Sequence, residues 1–107
     1  MTLVPNDNSR NFEKELQTRV NEVLHYIWDP IGVRGEPHAR DEYDSYVPQV
    51  YALLQSGATV ETIAAHLDKI VTERMGLHSN ISHSLLTALN LLDWRAKLLP
   101  KRPEILE

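Results

Sequence analysis

A single proline sets the layout of this chain. Phe12, Leu16, Val20, Val23, Leu24 and Ile27 fall within an arc of about 120° at 100° per residue, the mark of an amphipathic helix of roughly five turns. Pro30 then forces the residue before it out of helical backbone space, so the first helix ends near Trp28. Residues 29–40 hold Pro30, Gly32, Gly35 and Pro37 and no sustained period. A link of that length is at the upper end for a small helical domain, and such loops are either functional or pinned by their own side chains. The residue types in Trp28-Asp29-Pro30 suit a locked corner. Trp28 closes one end of the core, Pro30 fixes the exit direction, and Asp29 can accept backbone N–H bonds from the turn it opens. Gly32 supplies a φ that other residues reach only at a cost. The alternative is that the corner and its loop form a docking site.

Three more apolar stripes follow. Tyr43, Tyr46, Val47, Val50, Tyr51, Leu53 and Leu54 make the second. Pro48 interrupts it, so that helix either starts near Asp44 with Pro48 just beyond its first turn or runs kinked from Asp41. Ser56-Gly57 ends it. Thr59 caps the third helix, whose apolar face is Val60, Ile63, Ala64, Leu67, Ile70, Val71 and Met75. Gly76 followed by Leu77 stops it, a left-handed glycine with an apolar residue closing over the last turn. The fourth helix starts between His78 and Ser82 and runs to Leu99, before Pro100.

That last helix is apolar on two sides. Ile81, Leu85, Ala88, Leu89, Leu92, Ala96 and Leu99 share one face, and Leu91, Trp94 and Leu98 lie nearly opposite. Such a helix is central in its bundle, or else it offers Leu91, Trp94 and Leu98 to a partner or a second copy of the chain. At the front, Asp7, Asn8 and Ser9 compete to cap the first helix, leaving residues 1–7, like 100–107, as frayed tails. The pattern predicts an all-α fold: one compact four-helix domain over residues 1–107, with a long loop between helices one and two.

A chain of 107 residues has room for one core. With no cysteine, disulfides and thiolate metal sites are excluded. No apolar run approaches the ~20 residues of a membrane span, and Met1 to Asp7 lack the basic and apolar parts of a leader, so a cytoplasmic location is expected. The net charge of −4 argues against nucleic acid, which is held by clustered Lys and Arg. The charge is uneven: residues 29–56 carry five acids and two bases, whereas residues 77–107 carry three acids and four bases. The acidity thus gathers on the corner segment, as a solvated face or as a surface for a basic protein partner.

No nucleophile triad, phosphate loop or metal quartet accompanies these features. His38 lies beside Asp41-Glu42 but lacks the spacing of a zinc hydrolase. His66 sits at the edge of the third stripe, His25 lies off the first, and His78 and His83 flank the fourth helix in capping or exposed positions. No catalytic residue, cofactor or metal ligand is assigned. Asp41, Glu42 and Asp44 could pair for acid–base work, but they also stand where carboxylates stabilise a helix N-terminus. Tyr43, Tyr46 and Tyr51 suit a recognition surface or core-edge rings with their hydroxyls in water.

Trp28-Asp29-Pro30-Ile31-Gly32-Val33, then Asp41-Glu42-Tyr43-Asp44-Ser45-Tyr46-Val47-Pro48, then Leu53-Leu54 with Gly57 and a helix containing Glu61, resembles a family of small all-helical bacterial proteins of unknown function. The resemblance covers roughly residues 12–75. The family has no established activity to carry over, and some proteins with this pattern look like immunity partners of bacterial toxins. The resulting expectation is a non-enzymatic, cofactor-free protein-binding domain that touches neither nucleic acid nor membrane. Glu36, Asp41, Glu42, Tyr43, Asp44 and Tyr46 would face a basic toxin domain. The alternative is a housekeeping or regulatory protein that forms a homo-oligomer through Leu91, Trp94 and Leu98.

Overall fold

The computed structural model describes residues 5–98. Its helices are α1 (Pro5–Val23), α2 (Val47–Gln55), α3 (Val60–Lys69) and α4 (Ile81–Leu98). At 19, 9, 10 and 18 residues they alone cover more than half of the chain, and no strand occurs among the described residues. The all-α, four-helix reading therefore holds. α1 is already helical at Pro5, so Asp7, Asn8 and Ser9 lie inside the helix rather than capping it. Residues 1–4 and 99–107, including Leu99 and most of both expected tails, lie outside the described residues.

Two helices end in a wide turn that periodicity does not show. α1 passes into a π-helical turn over Leu24–Trp28, closed by the Asp29 N–H on the Leu24 carbonyl at 3.0 Å. A turn of this kind inserts one residue into the helical count. Each residue after the insertion takes the angular place of the one before it. His25, expected off the stripe, is consequently buried at 2% exposure. Ile27, expected on the stripe, emerges to 37%, and Trp28 takes over its core position at 1%. α3 widens in the same way over Ile70–Arg74, with the Met75 N–H on the Ile70 carbonyl.

The stops follow the sequence closely. Gly57 and Gly76 both have positive φ, at 81° and 68°. After α2, Ala58 N–H reaches back to Leu53 and Gly57 N–H to Leu54, the paired bonds of a Schellman motif. After α3 the returning bond runs from Leu77 to Val71, one residue wider because the π turn precedes it. Thr59 Oγ1 accepts the Thr62 N–H at 3.1 Å and caps α3. α2 resolves the ambiguity around Pro48: a 3₁₀ turn over Asp44–Tyr46 leads into α2 at Val47, with Pro48 inside its first turn, where a missing N–H does little harm.

The core gathers Leu16, Val20 and Leu24 from α1 and its extension, Val50 and Leu54 from α2, Ile63 and Leu67 from α3, and Leu91 from α4. α4 packs mainly on α3 and, along its other side, on α1. It reaches the core through both expected faces, with Leu85, Ala88 and Leu92 from one and Leu91, Trp94 and Leu98 from the other, which is the central placement of the two alternatives. Ser84, Thr87, Ala88 and Leu91 are buried, whereas Ile81, Leu86 and Leu89 are exposed, the last two at 63% and 54%. Thr87 can turn inward because its hydroxyl donates to the His83 carbonyl one turn back, at 2.9 Å, so no unsatisfied group is carried into the core. Leu91 is a core residue, Leu98 packs against the core, and the half-buried Trp94 ring lies under Arg19 and Lys97, at 5.0 and 5.6 Å. The surface expected there for self-association is already in use.

The inserted turn has a direct test. Replacing Ile27 by Lys is expected to cost no more than about 1 kcal/mol, whereas His25→Lys buries a charge and is expected to cost about 3 kcal/mol or more. An uninterrupted α-helix gives the opposite ranking, and urea denaturation of the two variants distinguishes them.

Candidate functional site

The corner is built around Asp29. It ends the first helix in the left-handed region, at φ 34° and ψ 60°, a conformation that Asp tolerates better than most residues. Its Oδ1 accepts the Val33 N–H at 2.7 Å and the Tyr43 hydroxyl at 2.8 Å, and its Oδ2 accepts the Arg34 N–H at 3.2 Å. The Tyr43 oxygen in turn accepts the Ile31 N–H at 3.1 Å. These bonds tie the start of the loop to a residue 14 positions downstream. Gly32, at φ 71°, lets the chain turn between those contacts, and its N–H closes on the Asp29 carbonyl. Beneath them the Trp28 ring packs on Tyr43 at 5.3 Å and edge-on to Tyr46 at 5.9 Å, within the favourable range for aromatic pairs.

α4 is fastened to the same corner. His83 Nε2 lies 2.8 Å from the Trp28 carbonyl. A carbonyl only accepts, so this nitrogen carries the proton, and the imidazole satisfies one of the free carbonyls at the end of the first helix. Capping or an exposed position was expected of His83; it does cap, but on a helix other than its own. The start of α4 is held in place by Asn80, whose side chain accepts the His83 N–H, and by Asp68, which accepts from the Ser79 hydroxyl and the Asn80 N–H.

The carboxylates fall into two groups. Asp29 is inside the knot. Glu36, Asp41, Glu42 and Asp44 are all exposed, and none forms an ion pair with another described residue. Glu36 accepts the His38 N–H and Asp44 accepts from the Asn21 side chain, while Asp41 and Glu42 accept nothing from the described side chains. Tyr43 does not join them at the surface. At 1% exposure it belongs to the core, because its hydroxyl is held by the loop above it. Tyr46 is half-buried against Trp28, and Tyr51 is buried too. Sequence reasoning found Asp29, Trp28 and Gly32 from their types; it missed the Asp29–Tyr43 link, whose one visible signal was a tyrosine among otherwise exposed acids.

Electrostatics mark the knot as one of the perturbed spots. Burial alone would raise the Asp29 carboxyl, but the Val33 N–H, the Tyr43 hydroxyl and the Arg34 N–H all donate to its ionised form and hold it below the ordinary carboxylate value. Burial pushes the Tyr43 phenol well above its usual value, against the Ile31 N–H and with the help of the neighbouring Asp29 charge. A carboxylate held ionised and saturated with donors, beside a phenol held neutral, is poor acid–base equipment and good structural cement. No group of three or more His, Asp or Glu that could hold a metal occurs among the described residues.

Fold and site define a class: a small helical domain with a loop pinned from within and an acidic rim above it. Comparison with protein-family models, curated proteins and solved structures found no match.

Because the folded pKa of Asp29 is depressed, its contribution is present above about pH 4, the ordinary carboxyl value, and is lost as pH falls through the lower folded value. Tyr43 has the opposite shift, so its contribution is intact below about pH 10 and lost on further alkalinisation. Asp29→Asn is expected to cost about 1–3 kcal/mol at neutral pH and to flatten the acid limb of the stability profile. Tyr43→Phe should flatten the alkaline limb. Denaturant midpoints measured across both limbs check each assignment separately.

Proposed function

We propose that this protein is a non-enzymatic binding domain that presents the rim of its corner loop to a basic surface of another protein. The observation that carries the reading is the exposure of Glu36, Asp41, Glu42 and Asp44 on a loop whose backbone is held from beneath. A charged rim on a fixed frame can steer and orient a partner without losing much loop entropy on docking. Absence of ion pairing to other described residues leaves that charge available. The particular form we favour is an immunity protein that blocks a bacterial toxin; many toxins act on nucleic acids and are basic where they bind, so an acidic blocker gains association rate and specificity. The likeness of the Trp28–Val33 and Asp41–Pro48 segments to proteins of that kind supports this form.

A second reading rests on a different surface. Leu86 and Leu89 stand exposed on α4, and self-association through them replaces the homo-oligomer expected through Leu91, Trp94 and Leu98. Sedimentation of the wild type and of Leu89→Glu distinguishes a dimer from a monomer at that face.

For the leading reading, the gene immediately upstream would be expressed with and without this chain; toxicity relieved only by its presence is the expected result. On the purified pair, Glu36→Lys, Asp41→Lys and Glu42→Lys should each slow association severalfold and flatten its salt dependence. Folding stability should stay within about 0.5 kcal/mol. Unchanged rates and salt response in all three variants would remove the acidic rim from the interface.

A further inference from the structure

The widened end of α3 opens a concavity that shares no residue with the corner loop. A cleft of about 350 Å³ is lined by His66 and Lys69 of α3, by Ile70, Glu73 and Arg74 of the π turn, and by Gln49 of α2. The inserted residue sets Arg74 back by one helical place and so onto the side of His66. Wide turns of this kind are frequent at functional sites.

The His66 Nε2 is enclosed by protein and has no hydrogen-bond partner. Buried polar atoms are nearly always paired, so an unpaired one in a cleft wall marks room for a further group. Lys69, Glu73 and Arg74 are exposed at the mouth, and none forms an ion pair with another described residue. The lining therefore holds two cations and one carboxylate. At the His66 ring the cations prevail. Burial first, then the charges of Arg74 and Lys69, hold its pKa below the ordinary imidazole value, and the ring is neutral near pH 7.

We propose that this cleft binds a free amino acid with two carboxylates, of the aspartate–glutamate class. Its carboxylates meet Lys69 and Arg74, its ammonium meets Glu73, and the Gln49 amide and the His66 ring supply hydrogen bonds. A volume near the lower end of small-molecule sites suits a ligand of that size. The Arg74 guanidinium matches the planar geometry of a carboxylate. Glu73 is what separates this ligand from other small acids. A phosphate or a plain dicarboxylate satisfies the cations but brings its charge up to Glu73 with nothing to offset it. The acidic rim contributes nothing to this cleft, so either site can fail without the other.

The test is a heteronuclear NMR titration of the full-length protein with glutamate, aspartate, inorganic phosphate and glutarate, which is glutamate without its ammonium group. The expected result is saturable binding of glutamate or aspartate, with a Kd below about 1 mM and shifts centred on His66, Ile70 and Arg74. Glutarate and phosphate should bind at least tenfold more weakly. Glu73→Gln should close the gap between glutamate and glutarate, and Arg74→Gln should weaken both at least tenfold. Glu42→Lys should leave all four within twofold. Saturation with glutamate should also raise the pH at which the His66 ring titrates, because the bound carboxylates offset the two cations that hold it low. The ligand comparison on the wild type stands whether or not a variant folds, and matched thermal melts establish folding of each variant. Absence of saturation by either amino acid overturns the proposal, as does glutarate or phosphate binding equally well or better.

Discussion

The Asp29 carboxylate is the point on which the rest of the corner depends. A link of a dozen residues between two helices has many conformations available, and fixing each backbone residue costs about 1–2 kcal/mol of entropy. No regular sheet or long helix stabilises this link. The Asp29 side chain takes that role, drawing in the Val33 and Arg34 amides and the Tyr43 hydroxyl, while Tyr43 draws in the Ile31 amide. Because Tyr43 is also packed on Trp28, the polar knot and the apolar core hold each other in place. Losing the Asp29 carboxylate leaves the buried Tyr43 hydroxyl without its acceptor, which costs more than the bond itself is worth.

The knot also explains the division of labour among the acids. Asp29 is consumed by structure, whereas Asp41 and Glu42 remain on the surface. Seven residues after Glu36, the chain dips once into the core at Tyr43 and comes straight back out. The rim is therefore anchored near its C-terminal end. A loop built this way can carry like charges close together, because their repulsion is opposed by the bonds beneath and screened by solvent above.

Much of this was legible in the residues. Pro30, Gly32, Gly57, Thr59 and Gly76 each stand where the chain turns or a helix begins or ends, and each acts through a local backbone requirement that sequence displays directly. The failures share a different cause. His25 turned inward and Ile27 gave way to Trp28 because a π turn inserts a residue, and nothing in the side chains announces that insertion. Ser84 and Thr87 were missed as core residues of α4 because they look polar in a periodic count, yet Thr87 satisfies its hydroxyl within its own helix and so can be buried. Tyr43 read equally well as surface or core until its partner was known, since a contact across 14 residues leaves no local trace. Local chemistry could be read from sequence, whereas pairings set by tertiary packing could not.

Hydrogen exchange at the loop amides tests the central claim most directly. If the Asp29–Tyr43 knot holds the corner, the Ile31, Val33 and Arg34 amides exchange far more slowly than exposed amides such as that of Glu61, although all three sit in a segment without regular structure. In Tyr43→Phe the Ile31 amide should lose its protection while the amides of α3 keep theirs. Exchange of all three at open-chain rates in the wild-type protein would mean that the loop is not pinned, and the account of a rigid acidic rim would be wrong.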